Sequence, residues 1–143
     1  MQVVIPIDIV SIQGDGYHLF MKIRIGRKSF RMLVDTGASR TVFDATEISG
    51  KLPQIELNEA ERLSVGLGSS GIAGKIAMMG NLSFNGLKIN NYTTMLLDLS
   101  HVNASYSELG IEPIDGVLGS DLMHELGAII NFYNETITLN KRK

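Results

Sequence analysis

The sequence predicts an all-β protein, a closed barrel of short strands with one short C-terminal helix. Three observations predict it. Runs of four to nine residues that alternate apolar and polar recur along the 143-residue chain. Turn chemistry rich in glycine and asparagine separates them. One segment alone, near the C-terminus, reads clearly as a helix with a start and a stop. Roughly nine or ten strands with no linker or low-complexity tract fit a barrel-like architecture, and residues 1–143 read as a single domain.

Gln2–Val10 is β-rich, but Pro6 has no N–H for a ladder, which predicts an edge strand. After the turn Gln13-Gly14-Asp15-Gly16, His18–Ile25 sets Met21, Ile23 and Ile25 on one face and Lys22 and Arg24 on the other. Gly26-Arg27-Lys28 turns the chain, and Ser29–Val34 returns with Phe30, Met32 and Val34 on one face. Glu56–Arg62 reads as a short polar link of about one helical turn. Leu63–Met79 reads as a glycine-rich hairpin with its tip at Gly68-Ser69-Ser70-Gly71. Asn85-Gly86 is a strong hairpin signal between Leu82–Phe84 and Leu87–Ile89, and Tyr92–Leu97 is a further strand. Ser100–Pro113 shows no period and reads as a long loop. Gly116–Gly119 is a short buried strand, and Ser120 is the expected N-cap of a helix over Asp121–Leu126 closed by Gly127. Ala128–Tyr133 and Thr136–Leu139 form a closing hairpin across Asn134-Glu135.

Composition narrows the function. Of the residues, 44% are hydrophobic and 20% charged, as in a soluble globular protein. A net charge of −2 offers no footprint for nucleic acid or an anionic membrane, so neither is expected as a partner. With no cysteine there is no disulfide framework, thiolate metal site or cysteine nucleophile. His18, His101 and His124 are scattered, so no metal site is expected. No apolar run approaches the roughly 18–20 residues that span a bilayer, no signal peptide is read, and the compartment stays open. The four N-x-[ST] matches at Asn81, Asn91, Asn103 and Asn134 read as turn chemistry.

The stretch that carries chemistry is Met32-Leu33-Val34-Asp35-Thr36-Gly37-Ala38-Ser39. An apolar strand delivers Asp35 where water reaches it poorly, and a buried carboxylate must be compensated. Gly37 lets the backbone turn and present N–H groups to it. Ser39 can donate a hydroxyl to one of its oxygens.

Asp35-Thr36-Gly37-Ala38 resembles the D-T-G-A signature of retropepsin-like aspartic proteases. Asp115-Gly116-Val117-Leu118-Gly119-Ser120-Asp121-Leu122-Met123 looks like that family's apolar-apolar-glycine strand and its following helix, and the hairpin at Gly68–Gly71 occupies the place of the flap. The resemblance implies a closed β-barrel of the retropepsin (acid protease) type. It also implies an aspartic endopeptidase acting on peptide or protein substrates without a cofactor. One D-T-G per chain implies a homodimer in which each subunit supplies Asp35 as catalytic residue. Thr36, Gly37, Ala38 and Ser39 would support it, Thr36 by hydrogen bonding across the two-fold axis. Gly68, Ser69, Ser70 and Gly71 would close over the substrate. Ala38 stands where many pepsin-like chains carry a hydroxyl, which implies a mildly acidic optimum.

Some features depart from the family pattern. Ser120 replaces an arginine of the retroviral members. The segment before Tyr17 is long and the tail Asn140–Lys143 is polar, so the retroviral terminal dimer sheet does not carry over directly. Asp115 lacks a following T-G and reads as a loop or cap residue, and Asp121 reads as a helix N-terminal charge. An alternative from another class is a catalytically silent module of the same fold that binds peptides or protein partners. D-x-G-x-S also resembles a phosphate loop of actin-like sugar kinases, but those folds need a second D-x-G and long alternating helices, which this sequence lacks.

Overall fold

The computed structural model describes residues 1–55, 57–59 and 75–141. Its strands are β1 (Gln2–Pro6), β2 (Asp8–Ser11), β3 (Tyr17–Ile25), β4 (Lys28–Val34), β5 (Val42–Asp44), β6 (Leu57–Glu59), β7 (Lys75–Phe84), β8 (Leu87–Leu97), β9 (Gly116–Leu118), β10 (Ile129–Asn131) and β11 (Thr136–Asn140). Its helices are α1 (Ala45–Lys51), α2 (Ser100–Glu108) and α3 (Ser120–Glu125).

Eight strands run in the order β2-β3-β4-β9-β5-β8-β7-β6, and β7 also pairs with β3. That last pairing closes β3, β4, β9, β5, β8 and β7 into a six-strand barrel. The alternation read from the sequence sets its inside. Met21, Ile23 and Ile25 of β3 and Phe30, Met32 and Val34 of β4 are buried, while Lys22 and Arg24 are exposed. Phe43, Ile48, Leu82, Phe84, Leu96 and Leu118 belong to the same core, which extends to Val3 and Ile5 of β1 and Ile137 and Leu139 of β11. A smaller cluster of Phe20, Leu99, Tyr106 and Ile114 packs on the outside of the barrel under α2.

The N-terminal segment divides into two strands. β1 joins β11 and β10 in a separate three-stranded sheet of order β1-β11-β10, and β2 lies at the edge of the eight-stranded sheet. Pro6 ends β1, so the expected edge position holds while the single strand breaks at Ile7. Asn85 and Gly86 take positive φ of 52° and 99°, as the hairpin turn between β7 and β8 demands. The strands predicted at Leu87–Ile89 and Tyr92–Leu97 are one, β8, irregular where Asn91 has a φ of 54°.

Three expectations are corrected. Part of the polar link at Glu56–Arg62 is strand, β6, paired with β7. The loop expected at Ser100–Pro113 contains α2, which buries Tyr106 alone and therefore shows no apolar period. Its first free amide is met by Asp98, whose carboxylate accepts from Ser100 N at 2.9 Å. Ser120 is the first residue of α3 rather than its cap; Gly119 occupies the N-cap position and makes no side-chain bond. Helix α1 was not anticipated. Asp44 caps it by accepting from Glu47 N at 3.0 Å, and the Asp-x-x-Glu spacing is the signal that could have located it. The predicted hairpin over residues 63–79 lies outside the described residues except for its last part, in β7, and so does its tip, Gly68-Ser69-Ser70-Gly71.

Candidate active site

Strand β4 ends at Val34, and the chain leaves the barrel through residues 35–41 before re-entering as β5. Strand β9 threads between the two, parallel to β4 and antiparallel to β5. Glycine makes this crossing possible. A Cβ at Gly116 would lie 2.5 Å from Val42 O, and one at Gly119 would lie 2.6 Å from the carbonyl carbon of Arg40. Asp35 N donates to Leu118 O at 3.0 Å and Ser120 N donates to Ala38 O at 2.7 Å, which pins the loop to β9 and α3 at both points.

Inside that frame Asp35 is half-buried. Gly37 N donates to Asp35 Oδ1 at 2.9 Å, and Ala38 N donates to Asp35 O at 3.1 Å, so the loop bends back to present an amide to the carboxylate as the glycine implied. Among the described residues this is the one hydrogen bond to the carboxylate, which leaves most of its acceptor capacity open. Thr36, Gly37 and Ser39 are exposed and Ala38 is half-buried. The Ser39 hydroxyl makes no hydrogen bond to Asp35 among the described residues. Thr41, which the sequence did not single out, holds the loop instead. It is 1% exposed, its Oγ1 accepts from Gly119 N at 2.9 Å and donates to Asp121 Oδ1 at 2.8 Å, and its N donates to the same oxygen at 2.9 Å.

Asp121 is therefore a bracket between α3 and the loop rather than a helix-dipole charge alone. Tyr92 OH donates to its other oxygen at 3.3 Å. Burial, and then the Asp121 charge, push the Tyr92 phenol up to about 12. Asp115 is also structural. It is 4% exposed, accepts from Arg31 N at 2.7 Å, and pairs with Lys51 Nζ at 2.7 Å.

Asp35 and Thr36 open on a cavity of about 380 Å³ shared with Tyr17, His18, Leu33 and Phe132. His18 Nδ1 is 2.8 Å from Tyr106 OH. Burial pushes the Tyr106 phenol up; the Arg31 charge opposes this and the Asp35 charge adds to it, so the phenol senses the Asp35 carboxylate. Among the described residues no group of three or more His, Cys, Asp or Glu could hold a metal ion.

A family model described as aspartyl protease matches residues 21–122, from within β3 to within α3. The chain belongs to the aspartyl protease family. Solved structures of retropepsin-like proteases share its fold. The retroviral protease-like domain of Ddi1 from Leishmania major aligns with a TM-score of 0.59 at 13% identity, over 87% of this chain and 90% of that one. A retropepsin-like aspartic protease from Rickettsia conorii gives 0.53 at 16% identity, over 99% and 91%. EIAV protease complexed with an inhibitor gives 0.54 at 18% identity, over 86% and 100%. No curated protein sequence matches the chain. The retropepsin-like barrel expected from D-T-G-A and the β9 motif is thus the fold observed. No helix among the described residues is long and apolar enough to cross a membrane.

Proposed function

We propose that two copies of this chain form an aspartic endopeptidase, with Asp35 of each subunit facing the other across a two-fold axis. The observation that carries the reading is the Asp35 carboxylate itself. In an aspartyl-protease chain it stands at a strand end, on an open cavity, with a single amide bonded to it. The other carboxylates near the crossing are held: Asp115 by Lys51 and Arg31, Asp121 by Thr41 and Tyr92, and Asp44 by the amides of Glu47 and Leu99, which leaves no second free acid there among the described residues. A second copy supplies it. The exposed aromatic rings of Tyr17 and Phe132 beside Asp35, and the open edge of β10 next to them, give that copy a surface to meet.

Two carboxylates a few ångströms apart share one proton, because both cannot ionise cheaply. The ionised one removes a proton from a bound water, whose oxygen attacks the amide carbonyl carbon. The protonated one donates to the carbonyl oxygen as it gains charge. Collapse of the tetrahedral intermediate breaks the C–N bond, and the proton taken from water passes to the leaving nitrogen. In this reading Thr36 bonds across the axis and Gly68-Ser69-Ser70-Gly71 supplies the lid, the latter an assignment that rests on sequence order alone. Peptide-library cleavage at several enzyme concentrations, with Asp35→Asn beside the wild type, tests the proposal. Turnover per chain should rise with concentration as dimers form, and Asp35→Asn should abolish it while the protein stays folded. Cleavage by Asp35→Asn at the wild-type rate ends the assignment. A folded wild type that stays monomeric and inactive at high concentration points to a binding module instead. A mildly acidic optimum is expected with Ala38 in place of a hydroxyl, and a rate profile peaking below about pH 3 would contradict it.

A further inference from the structure

We propose that a groove on the outer face of β3 and β4, unconnected with Asp35, binds a doubly charged oxyanion such as a phosphate group. Outward-facing residues of a two-stranded ladder interact in directly opposed pairs, and like charges placed opposite one another destabilise it. Lys22 stands directly opposite Arg31 in the β3–β4 register, and Arg24 follows two residues along the same face. These three cations line a groove of about 410 Å³ whose walls include Asp8, Ser29, Ser83 and Asn85. One carboxylate against three cations leaves it two charges positive.

A solvated charged face does not account for Arg31. Its side chain is only 14% exposed. Its guanidinium lies 4.1 Å from the Phe20 ring centroid, which fixes it by a cation–π contact. Yet the Nε is buried with no hydrogen-bond partner, and the side chain donates no hydrogen bond among the described residues. Its nearest acid, Asp8, is 3.6 Å away and 71% exposed, too distant for a hydrogen bond. A desolvated guanidinium seated over an aromatic ring beside two further cations, with a terminal nitrogen towards Asp8 in the groove, is prepared for an oxyanion. A dianion neutralises the groove, whereas a single carboxylate leaves it charged.

The test is an NMR titration of the folded protein with inorganic phosphate, following the Arg31 Nε–Hε signal and the amides of Lys22, Arg24 and Ser83. Parallel arms use sodium acetate, a phosphoserine peptide, and sodium chloride at matched ionic strength. Saturable shifts with phosphate are expected, weakened about tenfold or more in Lys22→Gln/Arg24→Gln, which leaves the Phe20–Arg31 contact in place. Saturation with the peptide at the same residues identifies a phosphate ester as a ligand, and saturation with inorganic phosphate alone identifies the free ion. Arg31→Lys, which keeps the charge and loses the fork, should also weaken binding. The proposal is overturned by shifts that chloride reproduces, by acetate binding as tightly as phosphate, or by phosphate affinity unchanged in Lys22→Gln/Arg24→Gln.

Discussion

Asp35 and Asp115 sit at the two ends of a single strand pairing. β4 and β9 run parallel, with Met32 opposite Gly116 and Val34 opposite Leu118; Asp35 follows the first strand and Asp115 precedes the second. Their surroundings differ. Asp115 is enclosed, with a backbone amide and an ammonium on the same oxygen, and its own N donates to Arg31 O at 2.8 Å. Asp35 is half-open, with one amide. Burial costs a carboxylate its hydration, and only partners repay it. The fold supplies partners to Asp115 and leaves the carboxylate of Asp35, the acid proposed to act, with a single amide among the described residues.

The largest effect separating the two is on activity. Asp35→Asn should remove turnover and leave the melting temperature nearly unchanged, because the loop amide at Gly37 still finds an acceptor. Asp115→Asn should retain cleavage by the molecules that stay folded. If Asp115→Asn instead abolished cleavage in a protein as stable as the wild type, Asp115 would be acting in the chemistry and the contrast would fail.

Stability should reverse the order. Asp115→Ala leaves the Arg31 amide and Lys51 without their acceptor. Removing one partner of a buried ion pair costs about 3–5 kcal/mol, and the lower end applies because the Lys51 side chain is 35% exposed and can turn to water. Asp35→Ala should cost less than about 1 kcal/mol. Urea denaturation of both variants reads the difference directly. Equal losses would mean that Asp35 is as structurally engaged as its neighbour.

The frame that holds Asp35 can be broken without touching either acid. Gly119→Ala places a methyl group 2.6–2.9 Å from backbone atoms of Arg40 and Ala38, which cannot retreat as a side chain would. Overpacking of this kind costs about 1–3 kcal/mol. Cleavage should fall further than stability, since the displaced segment carries Asp35. A variant with wild-type activity per folded molecule would show that the loop tolerates displacement. Tyr92→Phe is milder. It removes one bond to Asp121 and should cost about 0.5–1.5 kcal/mol by chemical denaturation. It should also delete the phenol that titrates near 12. Since that phenol is raised from 10.0, the folded state favours its neutral form, and the stability it adds is lost as pH rises from 10 towards 12. An unchanged alkaline absorbance transition in Tyr92→Phe would remove Tyr92 from this account.

The sequence made the barrel legible where a side chain's role follows from position along a strand. Met21, Ile23 and Ile25 point inward because the period is two, and Asn85-Gly86 turns because it takes positive φ readily. D-T-G marks Asp35 as the candidate, and the amide that Gly37 presents to its carboxylate is the local geometry a glycine at that position allows. What stayed hidden depends on contacts between distant residues. Thr41 was overlooked because nothing local marks a threonine whose partners, Gly119 and Asp121, lie about 80 residues away. α2 was overlooked for the same reason. Asn103 clamps it to the chain before β9, accepting from Ile114 N at 2.8 Å and donating to Ile114 O at 3.1 Å, and no apolar stripe records that. The N-x-[ST] reading as turn chemistry therefore fails at Asn103, which is a tertiary clamp on a helix.

A third carboxylate extends the comparison to the solvent-exposed limit. Asp98 has its oxygen on Ser100 N, and the Ser100 side chain and amide hold its carboxyl below the usual value of 3.8, with burial opposing and His101 assisting slightly. A folded-state value below the unfolded one favours the ionised form in the folded protein. The stabilisation is therefore present above pH 3.8 and lost as pH falls through the depressed value. The effect should be the smallest of the series, confined to the first turn of α2, because an exposed carboxylate keeps its water whether or not the helix forms. The Ser100 amide resonance should titrate below pH 3.8, and Asp98→Asn should make that resonance indifferent to acid. A Ser100 amide that moves at the same pH in Asp98→Asn as in the wild type would mean that another group governs the start of the helix.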